Sequence, residues 1–499
     1  MARYLAERIP RGGVHLPLAL CIGVLVVVVV GWLAATSPFL AVVALLFAAF
    51  VAILLWATDT SVLIVALIPL YYLPTQTAPG GLLENLPAGR WVGFAVVPLL
   101  IVYFLGRAGL SRRNLMLTGV GVCAGLFGLA LVLAAIANGS GWLALSLALV
   151  MYLRYPLLFV ALVNARPDGS VFRKVIIAFL VLTLLQVPEV VVRFWLGARG
   201  DAVSLTLGPW GASALGIYCV YALCLVTAAY RCGKLNAAAL VFVPLLLLPA
   251  ILGEIKALLI AGPLVVLAIL LVPRYLRGSG ARRLLAIGAV VAVGLVLFTA
   301  WGDVWHGPQN SLALYGRQIS GLVFGTASPS VGIQASRLSA AAYALTGLRA
   351  QGGLGLGLGP GSSLAGTLTG QQGSLHAMAG TIAAYVQTVA VAFDAGLLGL
   401  LIFGAMLAVC LRYVVLLLWR RSDNDDHWIG LAALGMWLFY ALLGPVYDLV
   451  WRYDSASFLF WVVMAWVYLI LQQSSADAAS EPGPRRAGVY VSPGDVGAT

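Results

Sequence analysis

Stretches of about 18 or more consecutive apolar residues recur along almost the whole of this 499-residue chain, and they leave it few ways to fold. Each is long enough to cross a hydrocarbon layer of roughly 30 Å as an α-helix. No water reaches the backbone there, so only helices and closed β-barrels satisfy every amide and carbonyl internally. The runs are continuous and do not alternate with polar residues, which excludes a barrel. A soluble fold is excluded as well: 62% of the residues are hydrophobic and only 9% are charged, too few to cover a soluble surface. The fold class read from the sequence is an all-α polytopic membrane protein.

Fourteen spans are expected, at 15–35, 38–56, 60–74, 91–106, 115–137, 141–163, 173–196, 211–230, 236–253, 257–273, 284–301, 395–418, 428–446 and 456–472. Residues 1–14 then form a cytoplasmic N-terminus and 15–301 a bundle of eleven spans. Residues 302–394 form one large extracytoplasmic loop with short amphipathic helices, 395–472 three further spans, and 473–499 a disordered cytoplasmic tail. Arg3, Arg8 and Arg11 precede an apolar stretch longer than the core of a cleaved signal peptide, so the first span is expected to stay. The net charge of +12 is a topology signal here and does not point to nucleic acid. With the N-terminus in the cytoplasm, 20 of the 29 Lys and Arg fall in cytoplasmic segments, eight fall outside, and Arg154 lies within a span. That is the positive-inside distribution. The six cysteines sit in or at the ends of spans without a Cys-x-x-Cys pair and read as small apolar residues.

Charges within or at the rim of a membrane are costly, and each calls for a partner or a function. Arg154 lies about 13 Å from the cytoplasmic end of its span at 1.5 Å per residue. It either snorkels inward, is satisfied by carbonyls, or meets an anionic lipid-linked substrate. Glu189 and Arg193 are four apart and suited to pair on one helix face, leaving Arg199 free for a ligand. Glu254 and Lys256 are two apart at an extracytoplasmic turn and point to different sides, so Lys256 needs another anion, such as a substrate phosphate. Asp448, Arg452 and Asp454 cluster in a further outer loop with Tyr447, Trp451 and Tyr453. The charges read as a solvated ion pair, and the aromatic rings suit sugar contacts or an interfacial belt equally.

The long loop carries His306, Arg317, Arg337, Arg349 and His376. Residues 337–351 have helical spacing, with Leu338, Ala341, Leu345 and Leu348 on one apolar face and Arg337 and Arg349 at the ends, as in a helix lying across the membrane surface. The glycine run 352–361 follows no strand and faces away from cytosolic nucleotides, so it is not a dinucleotide or P-loop motif. It is either a flexible or tightly packed glycine turn or a nest of amides for an anion. His15 and His427 are cytoplasmic, which leaves His306 and His376 outside. No second ligand stands at metal-binding spacing, and no nucleophile elbow accompanies the histidines.

The order of these features resembles the O-antigen ligase and O-antigen polymerase superfamily of bacterial surface polysaccharide assembly. The resemblance covers about 190–450. It rests on Lys256 after an apolar span, Arg337 opening an amphipathic helix, the glycine turn, His376, and Asp394, Gly396 and Gly399 at the entry to the next span. The interval from His376 to Asp394 is longer than the family pattern, and Lys256 stands where many relatives have Ser-Arg.

The resemblance implies a bacterial plasma-membrane enzyme with both termini in the cytoplasm. It would move glycan from an undecaprenyl-diphosphate-linked oligosaccharide donor onto a hydroxyl of a glycan or lipid-glycan acceptor, with inversion and without cofactor or metal. Membrane lipids and other polysaccharide-assembly proteins are the expected partners. The leaving diphosphate is anionic and calls for cations, met by Lys256, Arg337, Arg199, Arg452 and Arg349. The acceptor hydroxyl needs a base, for which His376 is the candidate with Glu254 and Asp394 in reserve. The other large class of lipid-linked glycosyltransferases has an acidic site in the first outer loop, and here that loop is Thr36, Ser37 and Pro38. The rival reading is a lipid-linked oligosaccharide flippase. Such a protein keeps basic residues within its helices and its loops short, whereas this chain has one deep arginine and one long loop.

Overall fold

The computed structural model describes residues 58–76, 89–110, 115–198, 203, 207, 211–252, 256–272, 337–363, 374–375, 386–419, 426, 428–443 and 454–480. Of these, 86% are helical and none is in a strand. The chain divides into Met1–Val65, described only over 58–65, and Ala66–Thr499. The expected spans 15–35, 38–56 and 284–301 lie outside the described residues.

The helices are α1 (Asp59–Gln76), α2 (Gly89–Leu110), α3 (Gly119–Asn138), α4 (Trp142–Ala165), α5 (Gly169–Trp195), α6 (Gly211–Arg231), α7 (Phe242–Leu252) and α8 (Lys256–Leu271). They are followed by α9 (Arg337–Ala350), α10 (Gln387–Trp419), α11 (Trp428–Leu443) and α12 (Asp454–Ser480). A 3-10 turn, Ala237–Val241, leads into α7. Among the described residues, six helices are long and apolar enough to cross a membrane: α3, α4, α5, α6, α10 and α12. Shorter apolar helices accompany them, so the protein is membrane-embedded.

Burial separates the centre of the bundle from its periphery. Every residue of Ala214–Arg231 is buried, with α6 packed against α5, α7, α8 and α11. Helix α12 is nearly as enclosed, against α4, α10 and α11. By contrast, α3 turns Val122, Leu126, Leu129, Leu133 and Ile136 outward at helical spacing, as suits lipid tails.

The two ends of the bundle differ in chemistry. At one, the start of α3, the end of α4 and the late part of α12 meet, where Met116 N–H donates to Asn164 Oδ1 and Gln472 Nε2 to Met116 Sδ. Arg173 pairs with Asp426 there, and Phe172 stacks on Trp466 at 5.7 Å. The exposed side chains of Arg166, Arg173 and Lys174 make this the basic end. The other end holds Asn138, the glycine turn and the start of α10.

Three expectations change. Helix α10 begins at Gln387, so the last eight residues assigned to the long loop are helical. Residues 473–480 continue α12 instead of opening a disordered tail, and Ser474 Oγ bonds to Ile470 O at 3.0 Å. Within the described second half of α9, Ala344 and Leu348 are buried and pack with Val389 and Phe393 of α10, while Leu345 is 40% exposed. Leu348 of the expected apolar face is buried, and Leu345 of that face is not, because α10 lies against the side that carries Ala344.

Helix α10 is broken once. Gly396 has φ 67° and ψ −165°, a conformation essentially restricted to glycine. A Cβ there would also collide with the Gly355 carbonyl. Gly404, in the same helix, has open space where a Cβ would stand, with nothing within 4 Å. Gly396→Ala is therefore expected to lower stability by about 2 kcal/mol or more. Gly404→Ala should raise it by up to about 1 kcal/mol. Thermal unfolding of both variants in the same detergent tests the contrast.

Candidate functional site

The glycine turn is built by closing one helix and bridging the break in another. Helix α9 ends where Gly353 N–H donates to Leu348 O and Gly352 N–H to Arg349 O, a helix C-terminal motif. The turn then lies against α10. Leu397 N–H donates to Leu354 O at 2.9 Å, Leu398 N–H to Gly355 O at 3.3 Å, and Leu358 N–H to Phe393 O at 2.7 Å. These three bonds satisfy groups that the break removes from the helical ladder. A Cβ on Gly357 would stand 2.5 Å from Phe393 O, so only glycine allows this approach. On its other side the turn meets the α3–α4 hairpin, where Asn138 Nδ2 donates to Gly357 O at 3.3 Å. The sequence left a packed turn and an anion nest open; the described residues form the packed turn.

Asp394 ties the turn down. Its side chain is fully buried. Oδ1 accepts from Ser362 Oγ at 3.1 Å and from Ser363 N–H at 3.0 Å, and Oδ2 accepts from Tyr152 Oη at 2.7 Å and from Ser363 Oγ. A buried carboxylate is tolerable when its lone pairs are occupied in this way. Both oxygens are committed and away from solvent, so in this structure Asp394 serves as a tether for the turn. The same turn holds the next segment: Leu375 N–H donates to Ser362 O at 2.9 Å, and Leu375 is buried with Ala344, Leu348 and Phe393. Leu375 immediately precedes His376 in the chain.

A second polar centre lies inside the bundle. Arg154 pairs with Asp454 at the first residue of α12, Tyr155 Oη donates to Asp454 Oδ1 at 2.7 Å, and the guanidinium lies 4.5 Å from the Phe94 ring centroid. Arg154 thus has an anionic partner within the bundle, Asp454. Side chains of a helix lean toward its N-terminus, here away from the basic end, and Asp454 stands on that side. Asp454 is correspondingly a buried partner of Arg154 and not part of a solvated loop pair.

At the rim of α5, Arg193 Nε pairs with Glu189 Oε1 at 3.3 Å, as the i,i+4 spacing predicts. Lys256 and Arg337 are the first residues of α8 and α9, and the Arg349 side chain is exposed in the last turn of α9. Glu254, His376, Arg199, Arg452, Tyr447, Trp451 and Tyr453 lie outside the described residues, as do His306, Arg317 and Asp448. Among the described residues no three His, Cys, Asp or Glu side chains converge as metal ligands would.

Tyr152, Ser362 and Ser363 were missed by sequence reasoning. Two tyrosines flanking an intramembrane arginine, and a serine pair directly after a glycine run, were the available signals.

Asp394→Ala leaves buried hydroxyl and amide donors unpaired and should cost about 2–5 kcal/mol, whereas Ser362→Ala, which removes one donor of four, should cost about 1 kcal/mol. Arg154→Met strands a buried carboxylate and should cost about 3–5 kcal/mol, while Arg154→Met with Asp454→Leu should recover most of that loss. Thermal unfolding in one detergent orders all four variants. No protein-family model matches the chain, and no curated protein matches it in sequence.

Proposed function

We propose that this protein is a membrane glycosyltransferase of O-antigen ligase or polymerase type. It would transfer glycan from an undecaprenyl-diphosphate-linked donor to an acceptor hydroxyl on the extracytoplasmic face of the bacterial plasma membrane. The observation that carries the reading is the assembly around Asp394. The helix opened by Arg337, the glycine turn and the residue before His376 all fold onto the broken start of α10 at one end of an apolar bundle. Motifs spread over about sixty residues in sequence thus become a single structural unit, as a shared site requires.

In the proposed reaction the acceptor oxygen attacks the anomeric carbon from the side opposite the carrier, the bond from that carbon to the diphosphate oxygen breaks, and the diphosphate leaves with the electron pair. His376 takes the hydroxyl proton, with Glu254 as the alternative base. Lys256, Arg337, Arg199, Arg452 and Arg349 are the cations available to the leaving diphosphate. Tyr447, Trp451 and Tyr453 are candidates for the sugar. A flippase would keep several basic residues within its helices, and the one deep arginine of this chain, Arg154, is paired with Asp454.

The test is transfer in proteoliposomes, with purified protein, an undecaprenyl-diphosphate oligosaccharide and added acceptor. Transfer should persist in chelator. It should fall by about 100-fold or more in His376→Ala and by about 10-fold or more in Arg337→Ala and Lys256→Ala. Carrier crossing the bilayer with no transfer to any acceptor would establish the flippase instead.

A further inference from the structure

Two tyrosines and an arginine on one turn of α4 reach both of the buried acids that open the α10 break and α12. Tyr152 donates to Asp394, while Arg154 and Tyr155 bind Asp454. At 100° per residue, Tyr152 and Arg154 leave the helix on nearly opposite sides, and Arg154 and Tyr155 diverge enough to straddle one carboxylate. Asp394 is in turn the residue that holds Ser362 and Ser363, and Ser362 O holds Leu375. Asp454 is the first residue of α12 and follows the expected outer loop that carries Tyr447, Trp451 and Arg452. The two segments with candidate substrate residues therefore end at acids fastened to the same helical turn.

We infer that Tyr152, Arg154 and Tyr155 are positioning residues that set the placement of the glycine turn relative to the start of α12. Their effect passes through Asp394 and Ser362 on one side and Asp454 on the other. The consequence for transfer rests on the function proposed above: Arg337 and His376 on one segment and Arg452 on the other can act on one donor only if the turn of α4 keeps the segments in register. Each contact alone has an ordinary structural role. Their convergence on four consecutive residues of one helix links the two segments through a single rigid element.

The placement can be read without reference to activity. Spin labels are placed at Leu354, exposed on the turn, and Gln473, exposed on α12, in protein whose six cysteines are replaced. The distance distribution is then measured by electron–electron double resonance in nanodiscs. A single narrow distance is expected, broadening at least twofold in Tyr152→Phe and in the apolar pair Arg154→Met with Asp454→Leu. The pair avoids an uncompensated buried charge, so it keeps the helices folded. In the transfer assay the same variants should lose at least tenfold in kcat with KM for the donor within twofold. Exchanging the charges, with Arg154→Asp and Asp454→Arg, should restore part of kcat.

Unchanged distance distributions would overturn the inference, as would broadened distributions with unchanged kcat in an active protein. If the wild-type protein transfers no glycan at all, the proposed function fails, and the distance measurement still decides the placement.

Discussion

A helix broken inside an apolar bundle needs substitutes for the hydrogen bonds it loses, and the arrangement around Gly396 supplies them. Leu354 and Gly355 offer carbonyls to the amides of Leu397 and Leu398, and the Leu358 amide caps Phe393 O. Neither partner is stable alone. Without the turn, the break would leave backbone groups unpaired where water is scarce; without the break, the turn would have nothing to bond. The small-residue sequence of the turn follows from that closeness, because Gly357 and Gly396 meet backbone to backbone.

The charges obey the same constraint. Asp394 is buried beside four donors and no cation among them, whereas Asp454 is buried beside Arg154 and a tyrosine hydroxyl. In both cases a carboxylate stands at a point where a helix is interrupted or begins. There the regular ladder has ended, and a side chain can join segments that backbone bonds cannot. Pairs of this sort add little net stability compared with apolar packing, but they specify which segments meet. Their use at the glycine-turn end, and the solvent-exposed Arg173 paired with Asp426 at the basic end, gives the two ends of the bundle different physical roles.

A glycan transferase working on a lipid diphosphate needs polar groups held firmly at the edge of an apolar slab. The unit formed by α9, the glycine turn and the first part of α10 has that form. It is anchored by apolar packing of Ala344, Leu348 and Leu375 on one side and by the Asp394 bonds on the other.

Much of this was legible in the sequence. Long apolar runs have a single solution in lipid, so the helical class, most of the helices and the amphipathic segment opening at Arg337 follow from composition and period. The Glu189–Arg193 pair follows from spacing within one helix. What the sequence could not contain was any bond between distant segments. Arg154 and Asp454 are 300 residues apart, and Tyr152 and Asp394 are 242 apart, so neither pair leaves a local pattern. The sequence by itself determined that the chain is a set of apolar membrane helices, because hydrophobic length and helical period act locally. Only the tertiary structure decided that Asp394 is a tether, that Arg154 is paired and that the glycine run is packed, because each outcome depends on which side chain stands opposite.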